Sequence, residues 1–279
     1  MLRYFFVLNL GFFLLRAAAP QPKLAIVNPM LHDSEDGPPV PSDYKFAPGD
    51  TVYFSFQVSG YKKTEDNKID VAYEMNARDP EGVLLAPPDV GSVGTTLSDE
   101  DKKWLPKVRY SFVVPGFAET GNYRIEIKLR DRFGGTEADL TEPFAVAGKH
   151  LEPSDKLVIR DFRFLRTEED KNPVEVAAYR PGDTLWARFD LTGYKLGDEN
   201  AFDVEYGVSI LRSDGTVSYS QDHAAEEKDK SFYPQRYTPG VVSIHIPPDL
   251  ARGAYTLVIA AKDDLSGATA EVRRRFTVE

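Results

Sequence analysis

Two acidic runs have the residue types that bind a hard cation. Glu65, Asp66, Asn67 and Asp70 form the first, and Asp198, Glu199, Asn200 and Asp203 repeat it at the same spacing. Calcium takes six to eight oxygens at about 2.3–2.6 Å, and carboxylates on neighbouring loops can supply them. If the last hairpin of each half lies at the same end of the fold, Asp131 joins Glu65 and Asp66, and Asp263 joins Asp198 and Glu199. Those six residues are the candidate calcium ligands, and calcium is the sole cofactor candidate. Against it, Asp and Asn in such loops commonly bond their own backbone to build turns, and no glycine-spaced EF-type loop is present.

Catalytic chemistry has little to work with. The four histidines, His32, His150, His223 and His245, fall in no metal-ligand spacing. No Gly-x-Ser-x-Gly elbow or HExxH helix accompanies them. The absence of cysteine removes a thiolate nucleophile, a thiolate metal site, a disulfide framework and a lipidated cysteine. Carboxylates abound, but on an acidic surface they read as solvated charge rather than a positioned acid and base pair. The expectation is a non-enzyme. Tyr53, Trp104 and Trp186 are the aromatic candidates for stacking sugar rings.

These residues sit within a duplication. Phe46-Ala47-Pro48-Gly49-Asp50-Thr51-Val52 returns as Tyr179-Arg180-Pro181-Gly182-Asp183-Thr184-Leu185, and one shift of 133 residues carries Leu24 onto Leu157 and Gly82 onto Gly215. After one deletion, Pro115, Gly121, Tyr123, Asp131, Gly135 and Phe144 meet Pro247, Gly253, Tyr255, Asp263, Gly267 and Phe276. A period that long means two whole domains rather than a solenoid. The Pro-Gly-Asp phrase reads as a turn, with Pro setting one backbone angle and Asp bonding the amides that follow.

Within each copy the hydrophobic period is two. Val52, Phe54, Phe56 and Val58 alternate with polar neighbours, and Leu185, Ala187, Phe189 and Leu191 repeat the pattern, as strands with one buried face require. With Leu24–Leu31 and a short strand near Val83–Leu85, about seven strands per copy emerge and no helix. That count and turn spacing predict an all-β chain of two tandem Ig-like antiparallel β-sandwiches. The divisions are 1–19 as signal peptide, 20–146 as the first repeat, 147–156 as linker and 157–279 as the second repeat. Pro87–Pro106 and Ser220–Pro239 read as long excursions. Gly121-x-Tyr123 and Gly253-x-Tyr255 sit where such domains carry a tyrosine corner.

The ending Gly-x-Tyr, then Asp-x-x-x-Gly and Phe-x-Val, resembles the last strands of bacterial Ig-like and fibronectin-III-like domains. Tyr179-Arg180-Pro181-Gly182-Asp183 is similar to the entry of macroglobulin-type sandwich domains. The resemblance implies architecture; the thioester chemistry of full macroglobulins needs a cysteine and does not carry over.

Met1-Leu2-Arg3, the apolar run Tyr4–Leu15 and Ala17-Ala18-Ala19 form a secretory signal; Arg16 and Pro20 bracket the cleavage site, and an uncleaved anchor is the alternative. The run is shorter than the roughly 20 apolar residues a membrane span needs, so no span is expected in the mature chain. A net charge of −10 argues against nucleic acid. A secreted or periplasmic bacterial module follows, mediating protein–protein contacts in the envelope or outside it. The alternative is a carbohydrate-binding accessory module.

For the protein contact, positions that lost charge after duplication point to one patch. Glu74, Asn76, Glu126 and Lys128 become Gly207, Ser209, Val258 and Ala260, on strands expected to be neighbours. A face that has turned small or apolar marks contact with a partner, with the other domain or with its own excursion.

Overall fold

The computed structural model describes residues 23–279, so the signal-peptide reading of 1–19 lies outside the described residues. Two β-sandwiches follow one another. The first contains β1 (Ala25–His32), β2 (Lys45–Phe46), β3 (Thr51–Ser59), β4 (Lys68–Arg78), β5 (Asp89–Thr96), β6 (Lys107–Val113), β7 (Gly121–Asp131) and β8 (Glu137–Val146). The second repeats the series as β9 (Val158–Leu165), β10 (Ala178–Tyr179), β11 (Thr184–Thr192), β12 (Phe202–Arg212), β13 (Val217–Asp229), β14 (Tyr237–His245), β15 (Gly253–Asp263) and β16 (Thr269–Val278).

Each sandwich opposes a three-stranded sheet, β1-β3-β6 or β9-β11-β14, to a five-stranded one, β2-β8-β7-β4-β5 or β10-β16-β15-β12-β13. The first strand pairs antiparallel in one sheet, and the chain then crosses so that β2 and β10 pair parallel with β8 and β16. This is an Ig-like strand order. The alternating residues meet between the sheets: Val52, Phe54, Phe56 and Val58 are buried with Ile125 and Ile127, and Leu185, Phe189 and Leu191 with Leu257 and Ile259. Burying each such side chain contributes about 1.5–3 kcal/mol. The tyrosine corner is present in both copies: the Tyr123 hydroxyl donates to Glu119 O at 2.8 Å and that of Tyr255 to Ala251 O at 2.6 Å.

The excursions are strands, not loops. Val83–Leu85 contributes only a bridge between Leu84 and Arg78, whereas β5 and β13 run antiparallel to β4 and β12 as the outermost strands of their sheets. An edge strand with little core beneath it has no need of apolar alternation, and eight of the ten residues of β13 that the sequence placed in an excursion, 220–229, are polar or charged.

The Pro-Gly-Asp turns also depart from expectation. The amides of Asp50 and Asp183 donate to Ala47 O and Arg180 O at 3.0 Å, with Gly49 and Gly182 at φ 92° and 93°, a type II turn that needs glycine at its third position. The aspartate carboxylates accept from amides behind them, Ala47 N and Arg180 N, each at 2.7 Å. The amides ahead belong to strands already paired with β6 and β14. A Cβ on Gly182 would meet nothing within 4 Å, so its replacement costs only the backbone conformation. Gly182→Ala is expected to lower stability by about 1–2 kcal/mol, read as a shift of the urea midpoint at unchanged slope.

Candidate functional site

The most elaborate polar cluster lies where the sandwiches meet. Asp79 follows β4 and is 1% exposed. One of its oxygens accepts Val83 N at 2.8 Å. The other accepts the Tyr233 hydroxyl at 2.9 Å and the Arg236 guanidinium at 3.1 Å, both from the second domain. Arg236 also binds Glu81 at 2.9 Å and the Tyr233 oxygen at 2.9 Å, and lies 3.9 Å from Glu119. The Tyr233 ring packs in the core cluster of the first domain rather than that of its own. Burial pushes its phenol well above the ordinary value, so it stays protonated as the donor.

A second lock involves the connecting segment. Lys149 pairs with the buried Asp190 and, at 3.1 Å, with Asp161. It lies 5.1 Å above the Tyr237 ring, which meets Phe117 edge-on at 5.3 Å. The duplication explains the origin of this clamp. At the matching positions of the first domain, Asn28 donates to Gln57 at 2.7 Å, a neutral pair needing no third group. Two carboxylates in the same geometry repel, and the linker lysine lies between them. Burial raises the Asp190 carboxyl, while the Lys149 hydrogen bond holds Asp161 below the usual range.

The candidate calcium ligands are placed as follows. Asp131 takes Lys62 N at 2.6 Å on one oxygen, and Phe133 N and Gly134 N at 3.0 and 2.9 Å on the other. Asp263 likewise takes Lys195 N at 2.8 Å and Leu265 N at 2.9 Å, with the Ser266 hydroxyl. Each therefore staples the Gly-Tyr-Lys loop to the last hairpin through backbone N–H donors. Glu65, Asp66, Asp198 and Glu199 are exposed, and Glu199 pairs with Lys230 at 2.7 Å. Among the described residues no three carboxylates or histidines gather in an arrangement that holds a metal.

In the expected partner patch, Gly207 pairs with Ala260 and Ser209 with Val258 across β12 and β15. Gly207 and Val258 are buried, Ser209 is half-buried and Ala260 is exposed. The space a side chain at Gly207 would need is filled by the backbone of Gln221 and Asp222, where β13 bulges over it. The face that lost its charges thus packs in part against its own excursion. Of the aromatics, Tyr53 borders a hollow of about 470 Å³ with His32, Asp36 and Arg109. Trp186 is half-buried on β11, and Trp104 is 40% exposed after a short 3-10 turn. The three lie on separate elements, two in one domain and one in the other.

Sequence reasoning missed the joint because its members are up to 157 residues apart. The readable trace was the change of Asn28 and Gln57 into Asp161 and Asp190. Among the described residues no helix is long and apolar enough to cross a membrane.

The two halves are Ig-like β-sandwiches in tandem. No family model matches the chain, and no curated protein matches it. Among solved structures, the C-terminal domain of the Streptococcus agalactiae AgI/II polypeptide BspA is 11% identical, covering 91% of this chain and 100% of that one, with a TM-score of 0.31. The C-terminal domain of the Streptococcus pyogenes antigen I/II-family protein AspA is 11% identical, covering 91% and 99%, with a TM-score of 0.31.

Arg236→Ala leaves the buried Asp79 without a cation and is expected to cost about 3 kcal/mol, the figure for breaking a buried pair. Adding Asp79→Ala should cost much less than the sum of the single changes, which a double-mutant cycle in urea measures. Burial alone would raise the Asp263 carboxyl, but the Ser266 hydroxyl and the Lys195, Leu265 and Ser266 amides outweigh it and lower its pKa. Its contribution is therefore complete above the unfolded value of about 3.9 and lost as pH falls through the lower folded value. The melting temperatures of wild type and Asp263→Asn should converge over that acid range and stay apart at neutral pH.

Proposed function

We propose that this chain is a non-catalytic two-domain module, exported from the cell, that holds protein partners through the open edge of its first domain. The contrast between the two outermost strands carries this reading. β13 protects its edge as soluble proteins do. It bulges twice and presents Asp222, Glu226, Glu227, Lys228 and Asp229. β5, its counterpart, is Asp-Val-Gly-Ser-Val-Gly-Thr-Thr: one charge, no proline, and unbroken register from Asp89 to Thr96. Val90 is 70% exposed there. An unguarded strand of this kind accepts an extended segment of another protein by main-chain pairing, with alternate side chains giving selectivity.

The joint supports the same reading. With Asp79, Arg236, Tyr233 and Lys149 in place, the second domain holds a fixed relation to the β5 edge, which suits a spacer or assembly element. Export rests on the leader-like residues 1–19 and the cysteine-free composition.

A photo-reactive side chain placed at Ser92 or Thr95 should capture one discrete protein in producing cells, while the same group at Tyr219 on β13 should not. Lysine at Val90 together with lysine at Gly94, where a Cβ is uncrowded, should abolish capture at an unchanged melting temperature. Equal capture from both strands, or none from either, overturns the proposal.

A further inference from the structure

The outer face of the β9-β11-β14 sheet carries a cationic pair with no hydrogen-bond or ion-pair partner among the described residues. Arg163 and Arg188 stand directly opposite each other on β9 and β11. Like charges so placed destabilise a sheet. The Nε atoms of both, and of Arg160 beside them, are buried without a hydrogen-bond partner. Such groups are rare and call for an explanation.

The neighbouring charges are otherwise committed. Arg160 pairs with Glu152 at 2.6 Å, and Asp161, which feels Arg163, is held with Asp190 by Lys149. The Arg188 side chain makes no hydrogen bond, ion pair or ring contact among the described residues.

The first domain has the same face and a different solution. Its cross-strand pair at the matching register is Met30 and Ser55. Its cations lie one strand over, where Asp36 reaches from the β1–β2 loop to Lys107 at 2.8 Å and Arg109 at 2.9 Å. In the second domain those two positions are Pro239 and Val241, and among the described residues no carboxylate of the β9–β10 loop reaches Arg163 or Arg188.

We infer that Arg163 and Arg188 form a binding site for an acidic polysaccharide, with Trp186 as the ring against which a sugar lies. Guanidinium forks match carboxylate and sulfate groups in bidentate geometry. Trp186 is two residues from Arg188 on the same face of β11, a separation of about 6.6 Å. That spacing suits a sugar ring and the acidic group of the same or next residue. Among the described residues neither arginine covers the indole, since the cation–π contacts are those of Lys149, Arg236 and Arg274. The aromatic and the two charges favour a glycan over an acidic polypeptide. The site is independent of the β5 edge.

The test uses the two-domain chain with chondroitin sulfate, neutral dextran and poly-L-glutamate as probes. Chondroitin sulfate should bind and dextran should not. Arg163→Met with Arg188→Ser, the residues of the first domain, should weaken binding at least ten-fold, and Trp186→Ala several-fold. Without ligand the double variant should melt no lower than wild type, because it removes a repulsion. Failure of wild type to bind chondroitin sulfate, equal binding by the double variant, or a double variant that melts lower overturns the site. Poly-L-glutamate binding equally well and indifferent to Trp186→Ala also overturns it, in favour of an acidic protein ligand.

Discussion

A carboxylate removed from water must be met by donors and by positive charge, and Asp79 obtains both from the other domain. At 1% exposure, an unpaired charge there would cost several kcal/mol, so the position of Arg236 and Tyr233 is effectively dictated. The arrangement of the sandwiches follows from that requirement, and Lys149 repeats the principle on the linker side. The joint therefore combines these electrostatic contacts with apolar ones, the Tyr233 ring in the first domain's core and Phe117 against Tyr237. Its geometry is set by directional bonds, which tolerate little rotation between the domains.

Much of the architecture was legible in the sequence because the duplication displays it twice. The alternation of Val52 to Val58 and of Leu185 to Leu191 reports burial on one face, and the Gly-x-Tyr phrase marks a corner whose hydroxyl bond is local. β5 and β13 were misread as loops for a physical reason: an outermost strand is held by backbone pairing, which leaves little imprint on side-chain pattern. The aspartates of the Pro-Gly-Asp turns were given the right role and the wrong direction, since the amides ahead of them were already engaged in strands.

The candidate site was less legible. The acidic loops do converge, as the pairing of Asp131 with Lys62 N shows, yet the oxygens of Asp131 and Asp263 meet peptide donors. The small-residue patch on β12 and β15 was correctly placed on neighbouring strands, but sequence could not show a bulge of β13 lying over Gly207. Divergence between the copies was the better guide. Replacing Asn28 and Gln57 by acids and Met30 and Ser55 by arginines altered the electrostatics of one face while the backbone register stayed the same.

Tyr233 has a consequence for how the chain acquires its shape. A ring from the second repeat occupies the core of the first, bonded to a residue 154 positions earlier. A polypeptide synthesised from its N-terminus presents the first repeat alone for a time, with a gap at its base where that ring belongs. Final consolidation of the leading half therefore waits for the trailing half. The two repeats, each large enough to fold alone, should mature in a fixed order, with the last packing step of the first coinciding with the docking of the second.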